Sequence, residues 1–124
     1  MSKILLIDDD AALLELLKER LTTQSYQVLT AQDGTEGLRQ ARVNRPDLII
    51  LDIAMPQMDG YSFIQSLKAE GDLRDIPIIV LTARQGMEDL FKIEGVRDYM
   101  VKPFVAGDLI KKIQKILAIT QRSH

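Results

Sequence analysis

Apolar residues along this chain follow two patterns that alternate five times. Short, nearly continuous apolar runs bounded by polar residues are typical of strands that are buried on both faces. Segments in which apolar residues recur every three or four positions are typical of amphipathic helices. The predicted strands are Lys3–Ile7, Gln27–Ala31, Leu48–Leu51, Ile76–Leu81 and Tyr99–Val101. The predicted helices are Ala11–Thr22, Gly34–Val43, Tyr61–Ala69, Gly86–Ile93 and Ala106–Ile119.

The alternation of strands and helices predicts an α/β fold, a doubly wound five-stranded parallel sheet with helices on both faces. We favour the flavodoxin-like strand order 2-1-3-4-5, because it places the first, third, fourth and fifth strands side by side. The 124 residues suffice for one domain with a single core. We expect that domain to cover residues 1–119, with residues 120–124 as a short C-terminal tail.

Charged or hydroxyl side chains follow four of the predicted strands. They are the run Asp8-Asp9-Asp10, then Asp52, Thr82 and Lys102. The carboxyl ends of parallel strands meet at one edge of a sheet, and ligands bind there. Two carboxylates about 4 Å apart repel by roughly 4 kcal/mol at an effective dielectric constant of 20. Because a domain has only about 5–15 kcal/mol of total stability, we expect a bound cation to relieve this repulsion.

The residue types at this edge suit phosphoryl transfer. Asp52 is the candidate nucleophile, since a carboxylate can attack phosphorus and carry the group as an aspartyl phosphate. Asp8, Asp9 and Asp52 are candidate ligands of Mg²⁺, which favours a few carboxylates together with phosphate oxygens. Lys102 offers an ammonium and Thr82 a hydroxyl to the phosphoryl oxygens. Taken singly, each residue also fits an ordinary structural role, as a helix cap, a strand end or a surface lysine.

Together these residues resemble the receiver domain of two-component response regulators. The matching motifs are Leu6–Asp10, Asp52–Gly60, Leu81–Ala83 and Asp98–Phe104, and the similarity extends from Ile4 to Leu117. The resemblance implies that Asp52 accepts a phosphoryl group from a histidine kinase or a phosphotransfer protein. It also implies a signalling switch rather than an enzyme, one that assists its own aspartyl phosphorylation and dephosphorylation.

The same resemblance implies roles for individual residues of the site. The implied Mg²⁺ site, in which Mn²⁺ can substitute, is formed by Asp8, Asp9, Asp52 and the backbone carbonyl of Ala54. Lys102 and Thr82 are implied to bind the phosphoryl oxygens. The peptide bond before Pro103 is expected to be cis, a conformation largely restricted to proline.

A conformational switch is a further implication of the resemblance. Tyr99 stands at the family's switch-aromatic position, and its ring is expected to turn from exposed to buried as Thr82 moves toward a phosphoryl oxygen. The alternative interpretation is that Tyr99 has no switching role and is simply a half-buried aromatic residue on an edge strand. The switch would reshape the face of the predicted fourth helix, fifth strand and fifth helix. Because the stretch from Thr82 to Lys102 is slightly shorter than the family's usual spacing, we expect a short or mobile fourth helix.

Asp98 and Lys112 bear on dimerisation, and Ala54 bears on the lifetime of the phosphorylated state. An ion pair between Asp98 of one copy and Lys112 of another would resemble dimer contacts of some response regulators, so a phosphorylation-dependent dimer is one expectation. The alternative is a solvated surface pair, which contributes roughly 0–1 kcal/mol. Ala54 has no polar side chain to orient a hydrolytic water, which favours a long-lived phosphorylated state.

Three other functions fit part of the sequence. In a haloacid dehalogenase-like phosphatase Asp8 would be the nucleophile and Asp10 the general acid, but Ala12 departs from that family's pattern and the chain lacks length for a cap domain. A flavodoxin-like cofactor binder needs a phosphate-binding loop after the first strand, where this chain has acidic residues. The remaining alternative is a pseudo-receiver, which is not phosphorylated and serves only as an interaction module. The presence of the complete set of site residues argues against it. Asp10 directly precedes the first predicted helix, Ala11–Thr22, and is expected to cap the free N–H groups of its first turn.

Composition limits the partners. The formal net charge of -2 gives no basic field for nucleic acid, and the absence of cysteine excludes disulfides and thiolate metal sites. The start shows no signal-peptide pattern, and no apolar run approaches the roughly 20 residues of a membrane span. We therefore expect a cytoplasmic protein without direct nucleic-acid or membrane binding. Its partners would be the phosphodonor and an unknown output protein, or a C-terminal output domain outside this sequence.

Overall fold

The structure, a computed structural model, describes residues 1–53, 60–82 and 95–122, with side chains as far as residue 119. Strands and helices alternate through these ranges. In chain order they are β1 (Lys3–Ile7), α1 (Ala11–Thr23), β2 (Gln27–Ala31), α2 (Gly34–Asn44), β3 (Leu48–Asp52), α3 (Gly60–Lys68), a single 3₁₀ turn (Gly71–Leu73), β4 (Ile78–Thr82), β5 (Val96–Val101) and α4 (Ala106–Arg122).

All five strands are parallel and form one sheet in the order β2-β1-β3-β4-β5. The predicted flavodoxin-like fold and its strand order are therefore confirmed. Because β1 pairs with both β2 and β3, the winding of the chain changes direction between β1 and β3. Ligand crevices of such sheets lie at this switch point, beyond the carboxyl ends of the strands. Asp8 and Asp52 stand there, at the ends of β1 and β3.

Helices cover both faces of the sheet, because alternate strand residues point to opposite sides. One apolar cluster joins the sheet to α2 and α3 through Leu38, Ala41, Phe63, Ile64 and Leu67. The other cluster joins the sheet to α1 and α4 through Leu14, Leu17, Leu21, Leu109, Ile113, Ile116 and Leu117. Full burial of each large apolar side chain contributes about 1.5–3 kcal/mol relative to exposure. Burial on both faces explains why the central strands are runs of Ile, Leu and Val rather than alternating polar and apolar residues.

The third and fourth strands differ slightly from their predicted bounds. β4 begins at Ile78 instead of Ile76, because Pro77 between them has no backbone N–H to donate to a ladder. At their carboxyl ends β3 and β4 each run one residue further than predicted, to Asp52 and Thr82. Both polar side chains therefore lie on regular strand backbone, which fixes their positions at the sheet edge.

The fifth strand is longer than predicted. It begins at Val96 rather than Tyr99, so it includes Arg97 and Asp98, whose polarity hid it in the sequence pattern. As the last strand in the sheet order it can carry polar residues at its open edge. Its register against β4 shifts so that Ile78 pairs with Val96 and Ile79 with Asp98, which leaves Arg97 as the extra residue of a β-bulge.

The helix bounds also shift by small amounts. α1, α2 and α4 run past their predicted ends, α4 as far as Arg122. α2 ends at Asn44, where Arg45 takes the left-handed conformation and Pro46 follows. α3 covers Gly60–Lys68 rather than Tyr61–Ala69, and the turn at Gly71–Leu73 was not predicted. The predicted helix Gly86–Ile93 lies outside the described residues. No helix in the described ranges is both long and apolar enough to cross a membrane.

Candidate functional site

The predicted site residues of four strands meet at the carboxyl edge of the sheet. Asp8 directly follows β1, Asp52 ends β3, Thr82 ends β4, and Lys102 directly follows β5. Asp8, Asp52 and Thr82 are buried, with exposed fractions of 1%, 5% and 2%. Among the described residues these are the buried polar side chains, and all of them lie at this edge. Buried polar groups cost free energy unless they are paired or bind a ligand, so this arrangement points to a function.

Three carboxylates form the acidic part of the site. Asp8, Asp9 and Asp52 each offer one oxygen, and these oxygens all lie within 4.8 Å of one another. Asp9 is exposed, while Asp8 and Asp52 are buried, so the cluster opens to solvent on one side. Carboxylate oxygens are the hard ligands that Mg²⁺ prefers, and a solvent-facing side leaves room for the waters it retains. The donor set therefore fits a divalent cation of this kind.

Lys102 supplies the positive charge next to these carboxylates. Its Nζ donates to Asp8 Oδ2 at 2.7 Å and lies 3.6 Å from Asp52 Oδ2. Its backbone N–H donates to the Thr82 carbonyl at 2.7 Å, which anchors the residue beside the end of β4. The peptide bond that follows, from Lys102 to Pro103, is cis. The ammonium thus acts as a counter-ion to two carboxylates at once.

Burial and ion pairing shift the pKa of Asp8, and likewise the pKa of Lys102, in opposite directions. Burial raises the pKa of Asp8, and the hydrogen bonds from Lys102 and from the Asp10 backbone only partly offset that effect. Burial would lower the pKa of Lys102, but the hydrogen bond and charge of Asp8, with the charge of Asp52, outweigh it and raise the pKa. Lys102 is therefore fully protonated near neutral pH, whereas Asp8 takes up a proton at a higher pH than an ordinary aspartate.

The loop after β1 holds the Asp8 carboxylate through a backbone hydrogen bond. Asp8 Oδ1 accepts from the Asp10 N–H at 2.9 Å, and the Asp8 N–H donates to the Ala31 carbonyl at 3.1 Å. Asp10 caps α1, as predicted, by accepting from the Leu13 N–H at 3.1 Å. The role of the Ala31 carbonyl was not found in the sequence, since a backbone acceptor on a neighbouring strand leaves no signal in residue type.

Gly60, the first residue of α3, packs directly against the backbone of Ile53 just after β3. Its N–H donates to the Ile53 carbonyl at 3.0 Å. A Cβ at Gly60 would lie 2.5 Å from Ile53 Cα, closer than a Cβ atom approaches a non-bonded atom in folded proteins. Only glycine fits this contact. Ala54, the implied carbonyl ligand, lies between these two residues and outside the described part of the chain.

Tyr99 is half-buried on β5 and packs against the apolar cluster that lies toward α2 and α3. Its N–H donates to Asp98 Oδ1 at 2.8 Å, and Asp98 Oδ2 accepts from Lys112 Nζ at 2.9 Å. The ion pair of Asp98 and Lys112 therefore forms within one copy of the chain. Rotation of the Tyr99 ring and a dimer across this face stay predictions.

The chain matches the family model of the response regulator receiver domain over residues 4–114. It therefore belongs to that family, the receiver domains of two-component response regulators. The predicted family is confirmed by this match and by the fold.

Individual relatives agree with this assignment. The transcriptional regulatory protein PrrA of Mycobacterium bovis is 42% identical over 117 residues, which cover 93% of this chain and 49% of that protein. The chain thus spans about half the length of the curated relatives it matches. Chemotaxis protein CheY4 of Vibrio cholerae superimposes with a TM-score of 0.86 at 33% identity and covers 93% of this chain and 98% of its own.

A third relative bears on the carboxylate cluster. It is the receiver domain of a sensor histidine kinase of Pseudomonas aeruginosa, with a TM-score of 0.84 and 31% identity over 94% of this chain and 98% of that chain. That protein was crystallised with a magnesium ion coordinated in its active-site cleft.

Proposed function

We propose that this receiver domain takes a phosphoryl group onto Asp52 in a Mg²⁺-dependent reaction and thereby switches a protein-interaction face. The donor would be a histidine kinase or a phosphotransfer protein. The observation that carries the proposal is the meeting of three carboxylates with the Lys102 ammonium at one sheet edge. Burial of Asp8, Asp52 and Thr82 at that edge supports it, because a merely structural surface would leave such groups in solvent.

Asp52 would act as the nucleophile. One of its oxygens attacks phosphorus, and the new O–P bond forms as the N–P bond of the donor phosphohistidine breaks. The electron pair leaves with the imidazole nitrogen, which takes up a proton from solvent. Lys102 Nζ, 3.6 Å from Asp52 Oδ2, would donate a hydrogen bond to a phosphoryl oxygen. The Thr82 hydroxyl would donate to another oxygen, since it ends the strand next to β3.

Asp8, Asp9 and Asp52 would hold Mg²⁺, or Mn²⁺ in its place, together with the Ala54 carbonyl. When bound, the ion supplies positive charge that offsets the repulsion between the carboxylate and the phosphoryl oxygens. The compact oxygen cluster of this chain and the magnesium-containing relative both support this cofactor. Asp8 would be held for this role by the Asp10 N–H on one oxygen and by Lys102 on the other.

The output of the switch is proposed to be transcriptional control or another response through a partner. Relatives named transcriptional regulatory proteins are about twice as long as this chain, which supports an output domain in the whole protein. We propose residues 1–119 as the receiver domain, with a movement of Tyr99 and Thr82 that reshapes the face of the predicted fourth helix, β5 and α4. The domain itself would contact proteins in the cytoplasm, not nucleic acid or membrane.

Incubation with acetyl phosphate, a small phosphoryl donor, tests the proposal. Intact-mass spectrometry should show one added phosphoryl group in MgCl₂ and none in EDTA. The Asp52→Asn variant should gain none under either condition, because the nucleophile is missing. A wild-type chain that binds Mg²⁺ but gains no phosphoryl group would instead be a pseudo-receiver. Phosphorylation that persists in Asp52→Asn would contradict the proposed nucleophile.

A further inference from the structure

The carboxylate of Asp8 is held at both of its oxygens by two different parts of the chain. Oδ2 accepts from the Lys102 ammonium at 2.7 Å. Oδ1 accepts from the backbone N–H of Asp10 at 2.9 Å, two residues further along the same loop. The second bond depends entirely on the conformation of the loop, because a backbone N–H turns only with its peptide plane. Whatever fixes the backbone at Asp10 therefore also fixes the Asp8 carboxylate.

The side chain of Asp10 fixes that backbone. Its Oδ1 accepts from the Leu13 N–H at 3.1 Å, and its carbonyl accepts from the Leu14 N–H at 3.0 Å, so the residue ties the loop to the first turn of α1. Its backbone is extended, with φ -87° and ψ 98°, which is the usual geometry of a residue that caps a helix. The side chain is exposed and is not one of the three carboxylates of the cluster.

We propose that Asp10 is a positioning residue of the metal site. By capping α1 it keeps its own N–H on Asp8 Oδ1, and so keeps the Asp8 carboxylate turned toward Lys102 and Asp52. The inference rests on the proposed Mg²⁺ site and adds to it a residue that acts through Asp8 and not as a ligand. Groups that orient metal ligands in this way typically change metal affinity by about tenfold or more when they are removed.

The contribution of Asp10 here is a hydrogen-bond acceptor, not a charge. Asn and Ser also accept at helix N-caps, whereas Ala cannot. Asp10→Asn and Asp10→Ser therefore preserve the cap, and Asp10→Ala removes it. A matched control exists in the same fold, because Asp33 caps α2 by accepting from the Glu36 N–H at 2.8 Å. Asp33→Ala removes a cap of the same chemistry from a loop that contacts the backbone of Asp8, through the Ala31 carbonyl, but that holds no carboxylate of the cluster.

The experiment titrates MgCl₂ into metal-free protein by isothermal titration calorimetry and records thermal unfolding of each variant in EDTA. We expect Asp10→Ala to bind Mg²⁺ roughly tenfold more weakly than wild type. Asp10→Asn, Asp10→Ser and Asp33→Ala should stay within about twofold of wild type by the same reasoning. The two alanine variants should lose similar thermal stability, which separates positioning from a general loss of folding.

Two results would overturn the inference while the proposed metal site stands. Equal Mg²⁺ affinity of Asp10→Ala and Asp33→Ala would reduce Asp10 to an ordinary helix cap. If Mg²⁺ affinity fell as much in Asp10→Asn as in Asp10→Ala, the negative charge of Asp10, and not its helix cap, would be what strengthens Mg²⁺ binding. If wild type itself bound no Mg²⁺, the inference and the proposed cofactor would both fail. Titration reads metal binding directly, so a failure of phosphoryl transfer alone leaves this measurement unaffected.

Discussion

Lys102→Met removes the ammonium from the site while keeping most of the side-chain volume. The ammonium lies 2.7 Å from Asp8 Oδ2 and 3.6 Å from Asp52 Oδ2, and its own side chain is 25% exposed. Breaking a fully buried pair costs about 3–5 kcal/mol, because the remaining charge is left buried. Partial solvent access reduces this value, so we expect a loss of about 2–3 kcal/mol in metal-free protein. For a chain of this size that is roughly 8–12 °C in Tm.

Added Mg²⁺ should reverse much of this loss. The cation and the ammonium neutralise the same carboxylates, so the variant gains more from the cation than wild type does. A cation at ten times its dissociation constant stabilises by about 1.4 kcal/mol, and the increase in Tm should be larger in Lys102→Met than in wild type. Thermal denaturation followed by far-ultraviolet circular dichroism, in EDTA and in MgCl₂, measures both quantities.

Lys112→Met is the matched control for this experiment. Its ammonium pairs with Asp98 at 2.9 Å, but the two side chains are 33% and 28% exposed and lie away from the carboxylate cluster. Such a pair is worth about 0–1 kcal/mol, and Mg²⁺ should affect this variant as it affects wild type. Equal losses in the two variants, or equal stabilisation of both by Mg²⁺, would refute the idea that Lys102 acts as the built-in counter-ion.

Three other outcomes follow from the same geometry. Gly60→Ala should lose about 2–4 kcal/mol in urea denaturation, because its Cβ would lie 2.5 Å from Ile53 Cα, whereas Gly71→Ala meets nothing within 4 Å and should be nearly neutral. Mg²⁺ affinity measured by calorimetry should fall as the pH is lowered through the raised pKa of Asp8, because the proton competes with the cation; an affinity that does not change on acidification would contradict this. Asp9→Asn should weaken Mg²⁺ binding and slightly raise the unfolding midpoint of metal-free protein, since it removes one of three mutually repelling charges at an exposed position; an unaltered affinity would remove Asp9 from the ligand set.

Most of the fold could be predicted because buried parallel strands leave a strong pattern in the sequence. The runs of Ile and Leu in β1 and β3 are buried, and apolar runs this short with polar residues at both ends fit a strand better than a helix. The predicted β5 was too short because Arg97 and Asp98 interrupt its apolar pattern. Polar residues can occupy these positions because β5 is an edge strand, where side chains can reach solvent.

The site could be predicted as a set of residue types but not as a set of contacts. Acidic, hydroxyl and basic residues after apolar runs meet at one edge by the geometry of parallel strands alone. No such rule predicts that Asp98 would pair with Lys112 of its own chain, because side-chain partners across a strand and a helix depend on packing. The backbone bond from Asp8 to the Ala31 carbonyl is equally hidden, since every residue type carries a carbonyl.

The central claim is that Asp52, and no other carboxylate of the cluster, carries the phosphoryl group. The most direct measurement is peptide mapping of the chain after incubation with acetyl phosphate and MgCl₂, with reductive trapping of the labile aspartyl phosphate before digestion. We expect the trapped residue to be Asp52, with the peptide that contains Asp8, Asp9 and Asp10 unmodified. Modification at Asp8 would contradict the claim and would favour the phosphatase-like chemistry in which that residue is the nucleophile.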